Sequence, residues 1–288
     1  MPSLRDVKQR IRSVKNTQQM TKAMKLVSAS KLRRAQEAIL RARPYAVKLM
    51  EVMNHLSARC NKDLHPLLND REGKRILLVV VTSDRGLCGA YNANILKMAS
   101  QVLEKNPDRE FSLICAGKKG YEYFNRRRMN ITDKFLNWTK DFDYSNAQSM
   151  GAKLADMFIE RKADKIYMVY NEFKSVLRQE VVLEQLLPIV PEQLEDKDET
   201  LSVDYIYEPD EESILEHLLT RYMTVQVYRA FLEASASEHG ARMTAMDNAS
   251  RNAKEMIGNL MLFYNRTRQA YITKELIEVV NGAEALKG

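Results

Sequence analysis

The chain has 288 residues, with 45 Lys and Arg against 38 Asp and Glu, a net charge of +7, and 45% hydrophobic residues against 29% charged. This balance fits a globular protein of one or two domains with much exposed helix. No run of 18 apolar residues occurs, which excludes a helical membrane span.

The charge is unevenly placed. Residues 1–60 hold fourteen basic and three acidic side chains, or +11, whereas 61–210 sum to −3 and 211–288 to −1. The basicity belongs to one element, which predicts an acidic partner. The segment MPSLRDVKQR lacks the apolar core of a secretory signal. Its basic helical pattern runs on without a cleavage-like break, so it reads as helix rather than transit peptide.

Residues 3–59 read as one long helix. Ser3 caps it, with Asp6 at the third helical position near the positive end of the dipole. Its apolar stripe begins at Leu4, Val7, Ile11 and Val14 and ends at Ala35, Ile39, Ala42, Ala46, Leu49, Met53 and Leu56. Between these, Met20, Met24 and Val27 carry the stripe, diluted by Thr17, Ser28 and Ser30. Pro44 removes the hydrogen bond to the Leu40 carbonyl and predicts a bend within a single helix.

Residues 60–74 are a connector broken by Pro66 and Gly73. The period then changes. Arg75–Ser83, RILLVVVTS, is a β-branched apolar run that predicts a strand buried on both faces. Asp84–Gly89 is a tight turn and Ala90–Lys105 a helix. Phe111–Ala116 is a second strand, a helix follows near Lys118–Arg127, and Ile131–Phe135 is a short strand. Ser145–Lys162 is an amphipathic helix and Lys165–Phe173 a strand. Gln179–Leu186 and Val203–Tyr207 read as edge or hairpin strands, and Glu192–Thr200 as an acidic loop. Strands alternating with helices predict a small doubly wound α/β domain.

From Glu211 to Gly288 there is no proline. Steps of 3 and 4 from Leu215 pass through Leu218, Tyr222, Val225, Arg229, Leu232, Ala236, His239, Met243, Met246, Ser250, Ala253, Ile257, Leu260, Tyr264, Thr267 and Tyr271, a coiled-coil seam. At ~1.5 Å per residue such a helix reaches roughly 110 Å, too long for a compact core. The economical arrangement pairs it antiparallel with the N-terminal helix. The predicted fold is α/β: two long terminal helices forming an antiparallel coiled coil, with an inserted Rossmann-like domain. The predicted divisions are 1–60, 61–209 and 210–288.

Chemistry is sparse. Cys60, Cys88 and Cys115 fit neither a disulfide framework nor a zinc site, and four scattered histidines offer no ligand set. The odd cysteine count fits a reducing compartment. The turn TSDRGLCGAYN follows a strand and opens a helix, where α/β folds bind phosphates. Its glycines, Gly86 and Gly89, make only GxxG, so it reads as a sharp turn, as does Gly117–Gly120. Asp84 and Arg85 read as a local ion pair. Met20, Met24, Met243, Met246, Met256 and Met261 read mostly as seam fillers. Small residues such as Ser28, Ala234, Ala236 and Ser237 let helices approach closely. The basic helix also fits a coiled-coil nucleic-acid binder, although no aromatic residue interleaves its charges before Tyr45.

Three separated stretches resemble one family: NTQQMTKAMKLVSASKLRRAQ, VVVTSDRGLCGAYN and ITKELIEVVNGAEAL. Ala236–Ser250 (ASEHGARMTAMDNAS) and YNRTRQAYIT also match. Together they resemble the gamma subunit of F-type ATP synthase, in order over the whole chain. The resemblance implies a non-catalytic rotor shaft that holds no cofactor or metal and binds no nucleic acid. It implies partners in the hexamer of alpha and beta subunits, the epsilon subunit and the membrane ring of c subunits, with membrane association only through that ring. It implies that Met24, Lys25, Arg268, Gln269, Thr273 and Glu275 meet the hexamer, and that Tyr205, Tyr207 and Glu208 lie near the c ring and epsilon. Lys8, Arg10, Arg12, Lys22, Lys25, Arg33 and Arg34 are expected to include contacts to acidic levers of beta. The small apolar tail Ile277, Val279, Val280, Ala283, Ala285, Leu286 suits a loose apolar sleeve. The absent transit peptide and absent cysteine pair favour a bacterial type at the cytoplasmic face of the inner membrane.

Overall fold

The computed structural model describes residues 3–59, 65–190 and 211–285, with the side chains of 54–59, 140, 141, 211–213, 215 and 216 outside that description. The expected strand at 203–207 and the acidic loop at 192–200 fall outside it. The helices are α1 (Leu4–Arg59), α2 (Tyr91–Lys105), α3 (Lys118–Arg126), α4 (Trp138–Asp141), α5 (Tyr144–Ile159) and α6 (Glu211–Ala285). The strands are β1 (Arg75–Val81), β2 (Glu110–Ala116), β3 (Ile131–Phe135), β4 (Lys165–Phe173) and β5 (Gln179–Leu187). The chain divides into two compact units, Ala29–Arg242 and Met1–Ser28 with Met243–Gly288.

In the larger unit the five strands lie in the order β3-β2-β1-β4-β5. The first four are parallel, and β5 returns antiparallel along β4 as an edge. Successive side chains of β1 point to opposite faces. Leu78 and Val80 pack with Ile95 and Phe124 of α2 and α3. Leu77, Val79 and Val81 pack with Leu154 and Phe158 of α5 and with Leu219, Met223, Val227 and Phe231 of α6. A doubly wound sheet needs both faces covered. Here α6 supplies part of that cover, so between Leu219 and Arg242 it is buried on nearly every side. The 3-4 seam expected for this stretch does not describe it: Leu219, Met223, Val227, Ala230, Phe231 and Ala234 form a second stripe that meets the sheet. Arg229, placed on the expected seam, is half-buried and pairs with Glu184, which also accepts from the Tyr170 hydroxyl at 2.7 Å. The aromatic centre is Phe231, stacked on Phe142 at 4.1 Å and edge-on to Trp138 at 4.9 Å.

In the smaller unit α1 begins with a capping box. The Asp6 N–H donates to Ser3 Oγ at 3.2 Å, and the Ser3 N–H to Asp6 Oδ2 at 3.1 Å, which holds the Asp6 carboxyl below its usual range. Thr21 Oγ1 meets Ser250 Oγ at 2.7 Å, Gln18 donates to the Ser250 carbonyl, and Lys25 pairs with Asp247 at 2.6 Å. As α1 ascends from Thr21 to Lys25 its partner descends from Ser250 to Asp247, so the helices are antiparallel. Seventeen positions separate Thr21 from Leu4, and seventeen separate Ser250 from Thr267. From Ser250 onward the covered positions on α6 are Ser250, Ala253, Ile257, Leu260, Tyr264 and Thr267, an unbroken 3-4 alternation that stops level with the start of α1. Residues 268–285 are exposed throughout.

The middle of α1 departs from the apolar reading. Its covered stripe runs Leu4, Val7, Ile11, Val14, Gln18, Thr21, Lys25, Ser28, and continues through Leu32, Ala35, Ile39, Ala42, Ala46, Leu49 and Met53. Met20 is 62% and Val27 58% exposed, and Leu26 is also on the outside. Heptad continuity from both flanks overrides local apolarity, because a one-residue shift of the stripe means a roll of about 100°. Of the methionines expected on the seams, Met246 is buried and Met24 and Met243 half-buried, while Met256 and Met261 face outward. Helix α1 runs unbroken through Pro44, which lies on an exposed side where water can satisfy the freed Leu40 carbonyl.

Candidate functional site

In an open α/β sheet, ligands bind beyond the carboxyl ends of the strands where the winding reverses. Here that point lies between β1 and β4, since β1 leads outward to β2 and β3 while β4 lies on its other side. After β1, the Ser83 N–H donates to Asn92 Oδ1 at 3.0 Å, and the Trp138 indole N–H donates to the Thr82 carbonyl at 2.8 Å. Asp84 does not pair with Arg85 as expected. Its carboxylate accepts from the backbone N–H groups of Lys118 (3.1 Å) and Asn137 (2.9 Å) and from the Thr139 hydroxyl (3.1 Å). It thereby ties together three loops at this edge.

The GxxG turn is a sharp turn, as its spacing suggests. Gly89 has φ +58°, and Leu87 takes the left-handed region at φ +63°. Its carbonyls, rather than its amides, receive a charged group. Arg242 Nη2 donates to the carbonyls of Arg85 (3.4 Å) and Gly86 (3.3 Å), while Nη1 donates to Glu238 Oε1 at 2.6 Å. Tyr91 donates its hydroxyl to the Ala234 carbonyl at 3.2 Å, and the Phe173 N–H donates to Glu233 Oε2 at 2.9 Å. Helix α6 therefore stands where a doubly wound fold would take a ligand.

Charge is tightly held in this crevice. Burial pushes the Glu238 carboxyl up, and the Arg242 guanidinium pulls it back. Burial, aided by Arg242 and Lys31, pushes His239 down to about 3, so its imidazole is neutral at physiological pH. Glu238 Oε2 and Ser237 Oγ are buried without a hydrogen-bond partner among the described residues. The oppositely charged i, i+4 pair Glu238–Arg242 inside the small-residue stretch ASASEHGARM was the sequence signal for this site.

The expected contact residues separate into two groups. Met24 and Lys25 lie on α1, where Met24 is half-buried and the Lys25 ammonium is held by Asp247. Lys8, Arg10, Arg12, Lys22, Arg33 and Arg34 are exposed, with Arg33 paired to Glu37. Arg268, Gln269, Thr273 and Glu275 are exposed on the last part of α6. At 100° per residue these four share one side, within an arc of about 160°. Ile272, Leu276, Val279 and Val280 lie on the same side and are also exposed. An isolated helix of this length gains little from solvent-exposed apolar groups, so this side is suited to an external partner. Tyr205, Tyr207 and Glu208 lie outside the described residues.

No helix of the described residues is long and apolar enough to cross a membrane, and no group of three potential metal ligands occurs among them. The sequence model of the family described as ATP synthase matches residues 3–286. The chain is similar to the ATP synthase gamma chain of Geobacter sp. (strain M21), with 49% identity over the full length of both chains. It is similar to that of Chlorobium phaeobacteroides (strain BS1), with 47% identity over the full length of both. Among solved structures it resembles a chain of the Tetrahymena thermophila mitochondrial ATP synthase central stalk and c ring. That match has 26% identity and a TM-score of 0.62, over 80% of this chain and 99% of that one. A chain of the Euglena gracilis mitochondrial enzyme in a rotational state shares the fold at 20% identity and a TM-score of 0.71, over 98% of this chain and 94% of that one.

Proposed function

This chain belongs to the ATP synthase gamma chain family, and we propose that it works as the central rotor shaft. It transmits torque between the membrane c ring and the catalytic hexamer of three alpha and three beta subunits, coupling ion translocation to ATP synthesis and hydrolysis. The full-length match to gamma chains carries this reading. The basic stripe of α1 is then an interface to protein, and nothing in the relatives supports a nucleic-acid role for it.

The exposed face of residues 268–285 is the part that enters the hexamer, where Arg268, Gln269, Thr273 and Glu275 supply polar contacts among apolar neighbours that slide. Met24 and Lys25 face the hexamer lower on the shaft. Lys25 does so while its charge is balanced by Asp247, so it acts mainly through its stem. Tyr205, Tyr207 and Glu208 face the c ring and epsilon. By role, 1–60 and 210–288 are shaft and 61–209 is the domain that meets the foot of the machine. The chain is peripheral to the membrane, at the cytoplasmic face of the bacterial inner membrane.

The test is assembly. Mixed with its alpha and beta subunits, the chain is expected to give one complex of three alpha, three beta and one gamma whose ATP hydrolysis depends on it. A chain that stays apart from the hexamer, or adds nothing to hydrolysis, overturns the reading.

A further inference from the structure

We infer that Arg242 is a positioning residue through which α6 and the α/β domain turn as one, the ligand crevice of the sheet having become a socket for a helix. The inference rests on the rotor reading for its purpose, but its geometry lies wholly within the larger unit.

Apolar packing is non-directional. Leu219, Met223, Val227 and Phe231 hold α6 on the sheet but weakly resist its roll about its own axis. Hydrogen bonds are directional, and those of α6 are placed to oppose roll. Glu233 and Arg242 are nine residues apart, which at ~100° per residue puts them on opposite sides of the helix. Glu233 accepts from the Phe173 N–H on the β4–β5 hairpin side. Gly240 lies on that side too, its position 3.4 Å from the Phe173 ring for any added Cβ. On the other side Arg242 spans from Glu238 to the carbonyls of Arg85 and Gly86. A torque on the helix therefore loads two loops in opposite senses.

The turn is chemically matched to a guanidinium. Two carbonyls and one buried carboxylate converge on it, and that carboxylate has an oxygen to spare. A lysine reaches Glu238 with a point charge but lacks the planar fork that joins Glu238 to both carbonyls. Without Arg242, Glu238 is a buried charge with no counterion on its own helix. The vacated space then suits a free guanidinium ion.

Two measurements test this. In the free full-length chain, hydrogen exchange of the Ser83 and Tyr91 amides, which close the turn by donating to Asn92 Oδ1 and the Cys88 carbonyl, is expected to rise about ten-fold in Arg242→Ala and partly in Arg242→Lys. Guanidinium chloride at about 20 mM, far below the molar range that unfolds proteins, is expected to return Arg242→Ala towards the parent, and urea is not. Unchanged exchange, equal effects of the two solutes, or parental behaviour of Arg242→Lys overturns the socket. In the whole ATP synthase reconstituted in vesicles, coupling ions (H⁺ or Na⁺, both followed) pumped per ATP hydrolysed are expected to fall about three-fold in Arg242→Ala and to recover with guanidinium. A parental ratio overturns the torque role. A variant that assembles poorly is assembled with guanidinium present, where restored yield supports the socket and unrestored yield counts against it. Failure of the parent complex to pump strikes the rotor reading instead, and leaves the exchange result standing on its own.

Discussion

Between Leu219 and Arg242, helix α6 is covered on nearly every side; between Arg268 and Ala285 it is covered on none. The two stretches belong to one unbroken helix and have similar access to apolar residues, with Val227, Phe231 and Leu232 in the first and Ile272, Leu276, Val279 and Val280 in the second. What separates them is the supply of partners. The first lies on a sheet and beside α1, whereas the second starts where α1 has run out. A helix apolar on more than one side asks for burial. The chain satisfies that demand itself in the first stretch and leaves it to the rest of the machine in the second.

Substitutions should separate the two stretches by size of effect. Phe231→Ala removes a fully buried ring stacked on Phe142 and edge-on to Trp138, and is expected to cost about 3–5 kcal/mol. Urea unfolding followed by the single tryptophan, Trp138, reads this directly, and a loss below about 1 kcal/mol would mean that α6 is dispensable to the sheet.

Asp164 offers a control at the opposite, amino-terminal ends of the same two strands, β1 and β4. Its carboxylate accepts from the Arg75 backbone N–H and side chain at 2.7–3.0 Å, and these bonds hold its pKa below the ordinary value. A carboxyl with a depressed folded pKa stabilises above its unfolded pKa and loses that contribution as pH falls through the folded one. Asp164→Asn is therefore expected to cost about 1–2 kcal/mol at neutral pH, discounted because Arg75 is half exposed. The gap from the parent should close as pH drops below about 4. A gap that persists or widens in acid would assign the effect to shape rather than charge.

Smaller still is Ser250→Ala in the paired part of the shaft, which removes the bond of the Thr21 hydroxyl across the seam and leaves it only the Gln18 carbonyl. About 1 kcal/mol is expected in thermal unfolding of the free chain. The smallest effect on the free chain belongs to Val279→Ala with Val280→Ala. There the expected change is within about 0.5 kcal/mol, because both side chains already meet water. The same pair should weaken retention of the chain by the hexamer in a co-purification assay. A large effect on the free chain would show that the last stretch has an internal partner after all.

The sequence displayed these regions unequally. The continuous β-branched strands, the crossover helices and the sharp turns at Gly89 and Gly117 were legible because each follows from local residue chemistry. The seam from Met246 to Thr267 was legible because only one neighbour shapes it. The stretch from Leu219 to Arg242 was not, since two neighbours impose two stripes that merge into general apolarity. The middle of α1 was misread for a different reason. Met20 and Val27 outrank Thr21 and Ser28 in apolarity, but the alternation carried in from Val14 and out through Leu32 selects the polar set. The contact residues proposed on the last part of α6 rest on family motifs; nothing in periodicity marks Arg268 or Glu275.

The cover that α6 gives to the sheet also has a history during synthesis. Strand β1 leaves the ribosome early, and although α5 soon brings Leu154 and Phe158 to one face of it, the α6 part of the cover over Leu77, Val79 and Val81 lies about 150 positions later. At a translation rate of roughly 5–20 residues per second, that face waits on the order of 10–30 s for Met223 and Phe231 to arrive. The newborn sheet is half-dressed through that interval, and the last helix to be made is the one that closes it.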